Sequence, residues 1–360
     1  MTVTEAAALD ILGSRNRRLL AAIVRAISGR ATAEDHETLP ERLADEPLLR
    51  WACRCRGAEP GVDPSDEVPR LKREAAAQLV QAARLQVTAV PLFDARFPAL
   101  LAAIPDPPPL LWLRGQIEVL SAPAIAIVGS RAATPYALSI AARLAADLAR
   151  AGLVIVSGLA RGVDSAAHAA TVSAQGRTIG VLGCGIDRVY PSEHRDLAIE
   201  MEQHGAMVSE FPPGVPPRQH HFPLRNRIIS GLSAAVIVVE APEKSGALIT
   251  ASAALEQGRD VLVVPGPVTG GRNRGGHQLI RDGAKVIENA ADILQELGGA
   301  GGVNEAQQPQ GDPWPMAVDF TVDDVAATTG EQPNVVLARL LELELSGRIK
   351  RVGGGRFARA

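Results

Sequence analysis

Residues 124–164 read AIAIVGSRAATPYALSIAARLAADLARAGLVIVSGLARGVD, and this stretch decides the fold. Ala124–Val128 and Leu153–Ser157 are short, continuous apolar runs, the pattern of strands in a sheet covered on both faces. Between them Tyr136–Ala151 carries apolar residues at helical spacing. Gly152 then stands where a left-handed helix stop belongs. Strand, helix and strand of this kind make a parallel βαβ unit. The alternation continues over residues 122–297, with strands expected at Thr178–Leu182, Met207–Ser209, Ala235–Glu240, Asp260–Val264 and Lys285–Ile287. A helix is expected at Ala247–Gln257, and Gly205 and Gly258 again fit helix stops. The fold class is therefore α/β, an extended Rossmann-like, doubly wound and mainly parallel sheet filling residues 111–297.

The flanks have a different texture. Residues 1–110 are rich in Ala and Leu, with helical spacing at Leu9–Ser28 and Leu71–Leu85 and a loop expected at Glu59–Pro69. They read as a small helical domain closed by the rigid connector Pro105-Asp106-Pro107-Pro108-Pro109. Residues 298–313, poor in bulky apolar side chains and rich in Gly, Gln and Pro, read as a flexible linker. In 314–360 a helix at Val322–Thr328, a second at Asn334–Ser346 and a hairpin over Gly347–Phe357 give the outline of a winged helix.

Composition narrows the function. A hydrophobic share of 46% can fill real cores, but a net charge of −3 excludes a uniformly basic coat protein. Any polyanion site must come from local clusters of Arg and Lys. Cys53, Cys55 and Cys184 give no disulfide framework and read as reduced thiols. The start MTVTEAAALD lacks the segments of a signal peptide, and no apolar run approaches the roughly 20 residues of a membrane span. A soluble cytoplasmic protein with no membrane partner is expected.

Five loops follow strands and share one chemistry. Gly129, Ser130 and Arg131 end the first strand, where a helix start would offer free N–H groups and Arg131 a bidentate fork for phosphate. Gly158, Arg161 and Gly162 repeat the pattern after the second strand. Asp164 there reads as a cap; with His168 one turn on it would make a metal pair or an acid–base pair, but no third ligand stands nearby. Arg218, Phe222, Arg225, Asn226 and Arg227 lie in a stretch, Pro212–Val239, that contains no carboxylate. Guanidinium groups suit phosphates, and an aromatic ring suits an unstacked base. Lys244, Ser245 and Gly246 place donors before the helix at Ala247, and Arg272 and Arg274 sit in a final glycine-rich loop. Neither the G-x-G-x-x-G dinucleotide fingerprint nor a G-x-x-x-x-G-K-[ST] loop is present, so no cofactor is expected. A row of anion-holding loops with almost no base or nucleophile suits a polyanion, and single-stranded nucleic acid is the natural one.

The motifs IAIVGSRAATPYA, VIVSGLARGVDSAAH, TIGVLGCGIDRVYPSEH, SEFPPG, HFPLRNRIISGLS, EKSGALITASAALEQGRDVLVVPG and LIRDGAKVI follow in order across residues 124–287. Together they resemble the DNA-processing protein A (DprA, or Smf) family. The resemblance implies a homodimeric, non-enzymatic protein that binds single-stranded DNA, displaces single-strand-binding protein and loads RecA during natural transformation. It also implies that Arg131 leads the phosphate contacts, with Arg161, Arg225, Arg227, Lys244, Ser245 and Gly246 lining the same groove. The chain departs from the family pattern at His277, where members usually carry Asn, and at Ser192, where they often carry Lys. Two other classes fit parts of the pattern. A nucleoside-monophosphate phosphoribohydrolase relies on a P-G-G-x-G-T loop and a catalytic Glu and Arg; this chain reads PEKSGALIT there, with Glu240 and Glu243 the only acids that could stand in. A duplex-reading regulator would act through the winged helix.

Overall fold

The computed structural model describes residues 2–13, 17–27, 29, 30, 32, 35, 48, 49, 52, 53, 64–298, 321–329, 336, 340, 349–352 and 356–359. The chain divides into two compact units, Met1–Ala300 and Gly301–Ala360.

The first unit is organised by one nine-stranded sheet. Its strands are β1 (Thr88–Pro91), β2 (Leu110–Gly115), β3 (Ala124–Val128), β4 (Val154–Ser157), β5 (Thr178–Leu182), β6 (Ala206–Ser209), β7 (Ala235–Val238), β8 (Asp260–Val263) and β9 (Lys285–Val286). Their spatial order is β1-β2-β6-β5-β4-β3-β7-β8-β9. The seven strands from β3 onward run parallel, while β2 pairs antiparallel with β6, and β1 antiparallel with β2. The doubly wound, mainly parallel expectation is met. From β3 the chain steps through β4, β5 and β6 on one side, then returns to lay β7 against the other side of β3. That reversal is a topological switch point, where open α/β sheets form a crevice.

Alternation along the strands explains why both faces are covered. Ile125, Ile127, Ile155 and Ile237 join one apolar cluster with Ala137, Ala141, Leu144 and Leu148 of helix α5 (Pro135–Arg150). Ala126, Val128, Val156 and Val238 point the other way, into a cluster with Ile228, Ile229, Ala247 and Ala251 of helices α8 (His221–Gly231) and α9 (Gly246–Glu256). Fully burying the Ile, Val and Leu side chains among these contributes about 1.5–3 kcal/mol each, so the centre of the sheet is the rigid platform under the strand-end loops.

The sequence reading missed β1 and β2, whose short runs lie beside prolines. The helical reading of the flank survives as α1 (Val3–Gly13), α2 (Arg17–Ile27) and α3 (Pro64–Arg84). The loop expected at Glu59–Pro69 gives way to helix from Pro64, which opens α3 where a missing N–H costs nothing, although Pro69 inside it is expensive. Gly152 and Gly258 are left-handed at φ +90° and +68°, as expected of helix stops. Gly205 is not: it is extended, and a Cβ there would collide with the Thr178 carbonyl, so close approach rather than handedness demands glycine.

In the second unit α12 (Val322–Thr329) accompanies an antiparallel hairpin of β10 (Ile349–Val352) and β11 (Arg356–Arg359). Val325, Val336, Leu340 and Phe357 are buried together in its core. The linker expected at 298–313 lies outside the described residues beyond Gly298, as does the expected helix at Asn334–Ser346 apart from Val336 and Leu340. Among the described residues no helix is long and apolar enough to cross a membrane.

Candidate functional site

Above the carboxyl ends of β3 and β7 lies a cleft of about 730 Å³, at the switch point. Its first wall is the loop after β3. This loop does not open a helix at once, contrary to expectation. Thr134 caps α5 by accepting from Ala137 N at 3.2 Å, and Pro135 supplies the first helical residue, so 129–134 remain loop. Ser130 accepts from Ala132 N at 3.2 Å, and its own amide bonds Glu240 O at 2.7 Å, tying this wall to the β7 loop. Arg131 is exposed, with its guanidinium carbon 5.4 Å from the centroid of the Phe222 ring. A cation there leaves its donors free to meet a phosphate.

The second strand-end loop packs beneath the first. A Cβ on Gly129 would come within 2.5 Å of Val163, and one on Gly162, at φ +82°, would strike Ser130 O. Glycine at both positions lets the two loops touch. Asp164 is buried and accepts from the amides of Gly158 (3.1 Å) and Ala160 (3.4 Å). It therefore braces the loop instead of capping the helix, whose N-cap is Gly162. Burial pushes the Asp164 pKa up, against the attraction of Arg225.

Arg225 is also buried, at 4% exposure. Nη1 donates to Gly158 O at 2.7 Å and to Val181 O, stitching the ends of β4 and β5 to α8. Burial lowers its pKa to about 10, which leaves it charged at neutral pH. Arg225 lines the cleft floor as a structural cation. Arg227, two residues on, does not reach the cleft. It is 12% exposed and pairs with Glu210 and, at 3.1 Å, with Asp106. The carboxylate-free window around it in sequence left out both partners: Glu210 stands two residues before that window, and Asp106 comes from a distant segment.

The opposite wall is the β7 loop. Ser245 caps α9, accepting from Ala247 N at 3.2 Å, so Gly246, Ala247 and Thr250 bring a true helix N-terminus to the cleft, with Lys244 exposed beside it. Asn226 donates to Gly246 O at 3.2 Å and fixes α8 to this wall. Phe222 is half-buried and tilts against Tyr190, with centroids 5.4 Å apart. Gly158 and Arg161 line a small adjoining pocket of about 40 Å³ that shares Arg131, Phe222 and Tyr190 with the cleft. Arg161 pairs there with Glu193 at 2.8 Å, and both side chains are exposed. Water screens so exposed a pair, and it yields readily to another anion.

Arg218, Arg272 and Arg274 stand outside the cleft. All three are exposed. Arg272 donates to Ala132 O at 2.7 Å and lines a separate cavity of about 170 Å³ with Glu240, Thr134 and Asn273. Glu240 is committed there, its Oε2 accepting from Thr134 Oγ1 at 2.6 Å. Cys184 is buried and its thiol pKa is pushed up to about 11, which makes a weak nucleophile at neutral pH. His168 donates from Nδ1 to Thr178 Oγ1 at 2.7 Å, since that hydroxyl gives its own proton to Ile155 O. Among the described residues no group of three or more His, Cys, Asp or Glu could hold a metal. Gln219 and Tyr190 also line the cleft, and the sequence reading gave neither a role.

The family described as DNA recombination-mediator protein A matches residues 88–298. The chain belongs to the DNA-processing protein A family. The DprA winged helix domain matches residues 318–355, confirming the class of the second unit. Protein Smf of Escherichia coli is 41% identical over 283 residues, 74% of this chain and 76% of that protein. DprA of Bacillus subtilis is 46% identical over 230 residues, 64% and 76% of the two chains. The X-ray structure of DprA from Streptococcus pneumoniae superposes with a TM-score of 0.69 at 34% identity, covering 82% of this chain and 98% of that one. A structure of DNA processing protein A from Helicobacter pylori, described for its single-stranded DNA binding mode, gives 0.55 at 31% identity, covering 60% and 97%.

Proposed function

We propose that this DprA-family chain binds single-stranded DNA in the switch-point cleft without cutting or modifying it. It would protect the strand as a cytoplasmic homodimer and pass it to RecA during natural transformation. One observation carries the reading. The cleft presents the exposed cations Arg131 and Lys244 and the ring of Phe222, while its one carboxylate, Asp164, is spent on backbone amides. Phosphates would meet the cations and the Ser245–Ala247 helix start, and a base would lie on Phe222. The single-strand binding described for the Helicobacter pylori relative supports this. The family's description as a recombination mediator supports the hand-over.

Gel-shift titration of single- and double-stranded oligonucleotides at two salt concentrations tests the claim. Tighter binding of the single strand, weakened by salt, is expected. Preference for duplex, or release of free base from a nucleoside monophosphate, would overturn it.

A further inference from the structure

A second cavity, of about 610 Å³, opens on the far side of Tyr190, whose ring also walls the cleft. Arg114 of β2, Arg188 of the β5 loop and Arg195 of helix α7 (Arg195–His204) line it. Both of its carboxylates are engaged: Glu202 accepts from Arg114 at 3.0 Å, and Asp187 accepts from Gly214 N at 2.7 Å. Arg188 and Arg195 are exposed, and neither forms an ion pair among the described residues. The same cavity carries bare apolar surface, with Ile199 50% and Tyr190 45% exposed. Unpaired guanidinium groups beside an exposed ring and an aliphatic wall match a nucleotide, with phosphate on one side and base on the other.

We propose that this cavity is a second subsite for the same single strand, which leaves the cleft over Phe222, crosses the Tyr190 ring and sets its next phosphates against Arg188 and Arg195. The proposal rests on the single-strand reading of the cleft and extends it in a direction, toward β6 and β2. Tyr190 is the link, because Phe222 and Tyr190 stand 5.4 Å apart and face adjoining cavities.

The test compares two lengths of oligothymidylate on the full chain: one just long enough to fill the cleft, the other several times longer. In the double variant Arg188→Ala, Arg195→Ala, binding of the short strand stays as in the wild type. For the long strand affinity falls several-fold, and the slope of log K against log salt shrinks by about 1.4, two phosphates' worth on a single strand. Arg131→Ala serves as the reference and weakens both lengths. If the double variant keeps the full slope on the long strand while Arg131→Ala flattens it, the second subsite is wrong and the cleft stands. If Arg131→Ala changes neither length, the cleft reading fails and the extension with it. A lowered melting temperature of the double variant is checked with Arg188→Gln, Arg195→Gln, which keeps the stems and must give the same loss of slope.

Discussion

The floor and the rim of the cleft carry the same residue types under opposite constraints. On the floor Arg225 and Asp164 are buried, opposed in charge and bonded to the backbone around Gly158. On the rim Arg131 and Lys244 are exposed, and the Arg131 guanidinium rests over an aromatic ring. A buried cation whose donors are already placed holds the platform. An exposed one keeps its donors for a ligand. The floor should therefore answer to mutation in stability and the rim in binding.

The largest effect is expected on the floor. Arg225→Ala removes the bonds to Gly158 O and Val181 O and the charge facing buried Asp164, and should cost about 3–5 kcal/mol in urea unfolding. A loss below about 1 kcal/mol would move Arg225 to the rim class. The pH dependence comes next. Burial lowers the His168 pKa from 6.5 to about 3, so between these values the unfolded chain binds the extra proton. His168 should therefore cost stability as pH falls from about 6.5 toward 3, by up to roughly 1.4 kcal/mol per pH unit. A His168→Gln variant, if folded, should lose that part of the slope in acid titrations followed by circular dichroism.

On the rim, Phe222→Ala should weaken single-strand binding by about 1–3 kcal/mol if a base stacks on the ring. Unchanged affinity with a depressed melting temperature would instead mark the ring as packing. Arg131→Ala should have the smallest effect. It should weaken all sequences alike and reduce the single-strand salt slope by about 0.7, with stability within about 0.5 kcal/mol of wild type. A sequence-dependent loss would sharpen the comparison by showing that the rim reads bases.

How much was legible beforehand follows the same division. Period and composition exposed the parallel sheet, because the runs at Ala124–Val128 and Ala235–Val238 are continuous and β-branched and the stop at Gly152 is explicit. The glycine-bearing loops after β3 and β7 were legible from residue type, and both wall the cleft. Burial was not legible. Arg225 and Arg227 stand two apart on one helix, and only tertiary packing sends one to the cleft floor and the other to Glu210 and Asp106. Asp164 read as a cap because helix starts favour acids, yet its acceptors serve the loop before the helix. The strands β1 and β2 escaped because Pro91 and the Pro107–Pro109 run marked their segments as connector, although Leu110–Leu113 is a buried apolar run paired on both sides.

Photochemical cross-linking of a single-stranded oligonucleotide to the full chain, followed by peptide mapping, tests the central assignment most directly. Adducts are expected on the segments holding Phe222 and Tyr190, lost when unlabelled single strand competes. Adducts confined to residues 314–360, with none on those two segments, would contradict it.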